Sequence, residues 1–340
     1  MLDREMTVFL RRTLADGAVP HALRDPAQWP QPMQREWSDD EGAAAAAEHR
    51  RRSVEALRTL RTALDAFKPD VVVIFGDDQY ENFVEDVVPP FCIYITDRME
   101  SRPFATESES YLQTNIWSEP VDKVFVHAGR PAVGRFLANR LSELGVDLPY
   151  AYRLRYRYGL AHAFINTLLF LDYDRTGFLH PVLPFHVNCY GGELIRRRGG
   201  SLGPSAAGEM DPPAPSAGAC FAVGQAIARA FAPSPYRVAL VASSSWSHAF
   251  LTRKNQWLYR DHESDHARLA ELAANRFAVW RDLGADEIES AGQHEFRNWI
   301  VLAGAMSELG AKARVVAYLE TYVLNSNKCF AIFSTDGEPS

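Results

Sequence analysis

The longest regular hydrophobic pattern in the chain runs through residues 42–68, where Val54, Leu57, Leu60, Leu64 and Phe67 recur at spacings of three and four. That period puts them on one face of an amphipathic helix, which must cover an apolar surface elsewhere. Pro69-Asp70 closes it, and Val71-Val72-Val73-Ile74-Phe75 follows, a β-branched and aromatic run of the kind buried on both faces of a sheet. The alternation continues: the pattern predicts strands near 121–126, 181–187 and 237–242, and helices near 131–144, 160–171 and 217–231. Towards the end it predicts helices over 256–281 and 295–309, then short strands near 313–322 and 328–333. Helices and strands alternating this closely specify an α/β fold, expected as a single domain over residues 1–340 with a central mixed sheet flanked by helices. Residues 199–218, mostly Gly, Pro, Ser and Ala, cannot supply a core face. Because the strand pattern resumes in the same style, they read as a long mobile loop within the domain rather than an interdomain linker.

Composition narrows the function classes. Of 340 residues, 47% are hydrophobic and 23% charged, which excludes a disordered or fibrous chain. Basic residues number 36 against 43 acidic, and the net charge of −7 argues against a surface built to neutralise nucleic-acid phosphates. No apolar stretch approaches the ~20 residues that cross a bilayer, and MLDREMTVFL lacks the basic start and apolar run of a signal peptide. The expectation is a cytoplasmic protein with neither membrane nor nucleic-acid partner; a homo-oligomer is left open. Cys92, Cys189, Cys220 and Cys329 show no CxxC spacing, so neither a disulfide framework nor a zinc knuckle is indicated.

In open α/β sheets ligands bind beyond the carboxyl ends of the strands, so polar residues just after each strand are the first candidates. Gly76-Asp77-Asp78-Gln79-Tyr80-Glu81-Asn82-Phe83 follows the first long strand, Asn188 follows the 181–187 strand with His186 just before it, and Ser243-Ser244-Ser245-Trp246-Ser247-His248 follows the 237–242 strand. An acidic turn is commonly solvated and a lone histidine commonly structural; three such ends on one rim favour a site. His162 opens a predicted helix, where the dipole disfavours a ring proton and a neutral base is expected. Glu295 falls in the first turn of another helix, a place where an acid also serves simply to stabilise the dipole. Phe185, Asn188, Tyr190 and Trp246 are placed to frame an aromatic substrate, with core packing as their competing role.

PDVVVIFGDDQYENF, YGLAHAF, PVLPFHVN, SSSWSHAF and GQHEFRNW, in this order and over almost the whole chain, resemble the class III extradiol ring-cleavage dioxygenases, the group that includes the β subunit of protocatechuate 4,5-dioxygenase. The resemblance implies a non-haem Fe(II) enzyme that opens a catechol-type aromatic with O2 in aromatic catabolism. In that family two histidines and one glutamate hold the iron, and two further histidines handle protons near the catechol. Glu295, with Trp299 four residues on, matches the glutamate; His248 matches a base/acid histidine and His162 its partner.

Two ligand positions depart from the family pattern. Gln79 stands where a ligand histidine is expected, and the other ligand histidine belongs to an N-terminal strand, of which this sequence is expected to start downstream. His21 and His49 are poor substitutes, one in a predicted loop and one mid-helix. An amide is a weaker ligand than imidazole, so Asp77 or Asp78 must turn inward to help, and an oxygen-rich set would favour another divalent metal such as Mn, Mg or Ca. Three other readings stay open: a binding or scaffold protein on the same fold, a divalent-metal hydrolase or lyase using Asp77, Asp78 and Glu295, and, more weakly, a serine hydrolase pairing Ser245 or Ser247 with His248.

Overall fold

The computed structural model describes residues 6–15, 19–105, 115–191 and 212–335. Its elements run α1 (Val8–Ala15), α2 (Gln31–Trp37), α3 (Ala43–Phe67), β1 (Val71–Gly76), β2 (Phe91–Tyr94), β3 (Arg98–Ser101), β4 (Phe125–Ala128), α4 (Pro131–Glu143), β5 (Tyr150–Ala151), α5 (His162–Leu171), β6 (Val182–Val187), α6 (Ala217–Phe231), β7 (Val238–Ala242), α7 (His262–Ala273), α8 (Ala285–Ser290), α9 (Phe296–Glu308), β8 (Lys312–Leu319) and β9 (Lys328–Ser334). The central sheet has the order β5-β2-β6-β1-β7 and is mixed: β1 pairs in parallel with β6 and β7, whereas β2 runs antiparallel to β6. Because β1, β6 and β7 are parallel, their carboxyl ends open on one rim, and the polar residues after each strand are gathered there.

Alternate side chains of β1 divide the core. Val72 and Ile74 pack with Phe164, Leu168 and the partly buried Leu64, which belong to α5 and α3. Val71, Val73 and Phe75 pack on the other face with Leu137, Ile227 and Ile300 of α4, α6 and α9. The α6–α9 contact is close enough to dictate glycine: a Cβ on Gly224 would lie 1.9 Å from the Val301 carbonyl oxygen, and one on Gly304 2.0 Å from that of Phe221. Since α9 begins immediately after Glu295, this backbone-to-backbone packing also fixes the start of the helix from which Glu295 projects.

Several boundaries differ from the sequence expectation. The expected helix over 256–281 is broken into α7 and a short 3₁₀ turn, Phe277–Asp282, because Asn275 takes a left-handed conformation (φ 55°) that ends α7. The strand expected near 121–126 lies at 125–128 and pairs with β3, off the central sheet. β8 and β9 form their own antiparallel pair, with a bulge between Val315 and Ala317. Of the loop expected at 199–218, residues 199–211 lie outside the described residues; Pro212 to Ser216 form no regular element and α6 starts at Ala217. Among the described residues, β7 has a partner strand on one side only, and so does β9. No helix among them is long and apolar enough to cross a membrane.

Candidate active site

A cavity of about 1840 Å³ opens at the rim and extends between β7 and β9, with α3 along one wall and α9 along the other. Asp77, Gln79, His162, His248 and Glu295 all line it, so the turn after β1, the start of α5, the loop after β7 and the start of α9 contribute to one space. Phe250 and Trp299 give it an aromatic wall.

Glu295 is the centre of the polar group. It occupies the N-cap position of α9 but makes no capping bond with its side chain, which turns to the cavity instead. Its Oε1 accepts hydrogen bonds from the Tyr190 hydroxyl at 2.5 Å and Gln79 Nε2 at 3.3 Å, and His248 Nε2 lies 3.7 Å away. Gln79 Nε2 also donates to Asp77 Oδ2 at 3.1 Å, so one amide bridges two buried carboxylates. Burial, reinforced by the charge of Glu295, pushes Asp77 up to about 7. Glu295 is raised too, by burial, against the opposing pull of Tyr190, His162 and Lys328. Asp77 Oδ1 is buried and has no hydrogen-bond partner.

The two histidines differ in charge. Burial, with help from Lys328, pushes His248 down to about 3 and keeps it neutral. Burial acts in the same sense on His162, but Glu81 overrides it: Glu81 Oε2 lies 2.9 Å from His162 Nδ1, and the carboxylate carries the imidazole up to about 10. Oε1 of the same side chain accepts the His162 backbone N–H at 3.0 Å, so Glu81 also caps α5. The neutral base expected at His162 from the helix dipole is thereby corrected to an imidazolium; a full carboxylate charge in contact outweighs the partial charge of a helix end.

Other candidates lie elsewhere. Asp78 is spent on its own turn, its carboxylate accepting the backbone N–H groups of Glu81, Asn82 and Phe83 at 2.9–3.2 Å. Trp246 faces the core, fully buried and edge-on to Phe296 and Trp299, which corrects its reading as a substrate wall. Asn188 is buried and accepts the Tyr190 N–H at 3.1 Å; it orders the segment carrying Tyr190 rather than lining the cavity. His21 is exposed, whereas His49 reaches the cavity from α3.

Sequence reasoning missed Asp265. Its buried carboxylate accepts from Ser247 N at 3.1 Å, Ser247 Oγ at 2.6 Å, Gln293 Nε2 at 2.6 Å and Asn327 Nδ2 at 2.8 Å. It thus ties together the segments that carry His248, Glu295 and Lys328, and it occupies the Ser247 hydroxyl, leaving a Ser247–His248 nucleophile pair without support. Glu81 was visible in the sequence but had no assigned role.

The donor set bears on the metal implied by the resemblance. Among the described residues, no three His, Cys, Asp or Glu side chains gather closely enough to hold a metal ion. A set of two histidines and one carboxylate is not assembled: Gln79 fills one position, and His162 is committed to Glu81. These residues do not fit Fe(II).

Residues 210–328 match the family described as the catalytic LigB subunit of aromatic ring-opening dioxygenase. The chain is similar to the 2,3-dihydroxyphenylpropionate/2,3-dihydroxicinnamic acid 1,2-dioxygenase of Cupriavidus necator, 25% identical over 279 residues, or 74% of this chain and 80% of that protein. It is 26% identical over 280 residues to the enzyme of the same name from Cupriavidus pinatubonensis, with the same coverage of 74% and 80%. A third relative, 2,3-dihydroxyphenylpropionate/2,3-dihydroxicinnamic acid 1,2-dioxygenase 2 of Pseudomonas putida, is 30% identical over 139 residues, a match spanning 40% of this chain and 36% of that protein. His248, Glu295 and Lys328 all lie inside the segment that is similar to the LigB family.

Proposed function

We propose that the rim cavity binds a catechol-type aromatic and opens its ring with O2, as the names of the relatives describe, and that the described chain does so slowly. The observation that carries this reading is the convergence of Glu295, His248 and His162 on one cavity with an aromatic wall. Neutral His248 accepts a phenolic proton through Nε2. The His162 imidazolium faces the same space and stabilises the negative charge that the diol acquires, while Phe250 and Trp299 pack against the ring. Glu295 Oε1 lies 3.7 Å from His248 Nε2, where its charge favours the imidazolium once the proton has moved. These groups support proton handling, whereas Gln79 and the Glu81-bound His162 do not complete an iron ligand set.

Loss of direct metal ligands should cost more affinity than the ~10–100-fold typical of changes to groups that merely orient ligands. The test is anaerobic titration with Fe(II), followed by oxygen uptake with catechol and with 2,3-dihydroxyphenylpropionate. Weak iron binding and slow uptake are expected. Tight stoichiometric iron with brisk uptake would show that the ligands are other than those named. Catechol binding without oxygen uptake would favour a non-catalytic binding protein, the reading that Gln79 in a ligand position supports. A hydrolase built on Asp77, Asp78 and Glu295 is disfavoured by the commitment of Asp78 to its turn.

A further inference from the structure

The cavity holds a group of side chains that the ring-opening reading does not use. Lys328, the first residue of β9, lines it together with Ser326 and with Ser245 from the loop after β7. The Lys328 ammonium donates to the Ser245 and Ser326 hydroxyls, both at 2.6 Å. Asp265 fixes this spacing from behind: its carboxylate holds Ser247, two residues after Ser245, and Asn327, the residue before Lys328. A backbone hydrogen bond from the Ala249 N–H to the Asn325 carbonyl at 2.8 Å ties the same two segments again. Ser326 is only 3% exposed, whereas Ser245 is half-buried and open to the cavity.

A lysine that bonds serine hydroxyls at a protein surface stays an ammonium. Here burial, against the pull of Glu295 and with the help of Arg260, brings Lys328 down to about 8, so a fraction of it is free amine near neutral pH. His248 and His49, on other walls of the cavity, are held neutral by burial. The free amine has a lone pair, and with Ser245 Oγ 2.6 Å away the hydroxyl proton has a direct acceptor. One of the remaining N–H groups still holds Ser326 Oγ, which leaves the Ser326 O–H to point into the cavity.

We propose that Ser245 and Lys328 form a serine–lysine nucleophile and that the cavity hydrolyses small uncharged esters, an activity that goes beyond ring opening and needs neither oxygen nor a metal. Ser245 Oγ gives its proton to Lys328 Nζ and attacks the ester carbonyl carbon; the carbonyl oxygen becomes negative and accepts a hydrogen bond from the Ser326 hydroxyl. As the tetrahedral centre collapses, the bond to the leaving alkoxide breaks and Nζ returns the proton to that oxygen, which leaves the acyl group on Ser245. Water then repeats the attack: its proton passes to Nζ, the acyl–Oγ bond breaks, and the proton goes back to Ser245 Oγ as the carboxylic acid departs. Phe250, Leu324 and Phe330 line the same cavity and give an acyl chain apolar contact. Glu295 repels an anion, which restricts the substrate to an uncharged ester.

The experiment treats the purified chain with EDTA and measures hydrolysis of p-nitrophenyl acetate and, separately, labelling by a fluorophosphonate located by peptide mass spectrometry. The wild type should carry the phosphonyl group on Ser245, and its ester rate should exceed that of Ser245→Ala on the order of 100-fold. The rate should rise with pH through about 8, as the amine forms. Lys328→Met should fall to the level of Ser245→Ala, and so should Lys328→Arg, which keeps the charge and the donors but does not give up a proton. A lysine with a purely structural role would be rescued by arginine, so full activity in Lys328→Arg overturns the proposal. So does a wild type left unlabelled at Ser245, or a Ser245→Ala protein as fast as wild type, results that need no lysine variant to fold. Activity lost on EDTA treatment overturns it as well. Neither readout uses a diol or oxygen, so this test and that of ring opening succeed or fail separately.

Discussion

Replacing Glu81 by Gln isolates the charge on His162. The two side chains are 11% and 19% exposed and their atoms are 2.9 Å apart, so the pair is largely shielded from water. With the carboxylate present, the imidazole is held at about 10, against an ordinary value of 6.5. A folded-state value above the unfolded one means stability that is fully present below about pH 6.5 and is lost as pH rises through about 10. At pH 7 the proton is worth up to about 4 kcal/mol, taking three units at ~1.36 kcal/mol each; partial solvent screening reduces this to roughly 2–4 kcal/mol. In Glu81→Gln the strongest raising influence is gone, and burial is opposed only by the smaller pulls of Asp77 and Glu295, so His162 falls well below its wild-type position. The variant should therefore be less stable than wild type by roughly 2–4 kcal/mol at pH 7, with the difference vanishing above pH 10. The assay is urea unfolding across pH, combined with imidazole ¹⁵N shifts to read the charge of His162 directly. A wild-type His162 that titrates near 6.5, or an equal stability difference at pH 7 and above 10, would refute the ion-pair argument.

Asp265→Ala strands four donors from three segments, and a urea melt should show a loss of roughly 3–5 kcal/mol, with His248 and Glu295 displaced together. Gly304→Ala puts a methyl group against the Phe221 carbonyl; the helix-propensity gain of ~1 kcal/mol cannot offset the separation of α6 and α9, and a fall in Tm corresponding to at least ~1–3 kcal/mol is expected. Tyr190→Phe removes a hydrogen bond that holds Glu295 down, so the carboxyl band in infrared difference spectra should show Glu295 protonated to higher pH than in wild type.

The sheet was legible because β1, β6 and β7 are largely apolar runs rich in β-branched residues, each followed by small or polar residues. β2 was not, because Phe91–Tyr94 is only four residues long and follows Pro89-Pro90, a signal that normally marks a turn. Within Asp77-Asp78-Gln79 adjacency misled, but period-two geometry explains the outcome: Asp77 and Gln79 leave the strand towards the cavity, and Asp78 turns the other way into the loop. Trp246 shows the same limit, since a sequence tells that an aromatic follows a strand but not whether it lies in front of the pocket wall or behind it. The charge of His162 was illegible for a different reason. Its partner Glu81 is 81 residues away in sequence, and only the packing of α5 against the β1 turn brings them together.

The unpaired sides of β7 and β9 face the same cavity, and this governs how the centre of the molecule exchanges with solvent. Among the described residues, backbone N–H and C=O groups on those sides have no strand to pair with, so water must reach them. Protection against hydrogen exchange should therefore fall abruptly from β1, bonded on both sides, to the outward amides of β7 beside it, rather than gradually towards the molecular surface. The same rows of open groups are templates for any extended chain. Association at high protein concentration is accordingly expected to proceed through strand pairing inside this gap, insensitive to salt, despite the net negative charge outside.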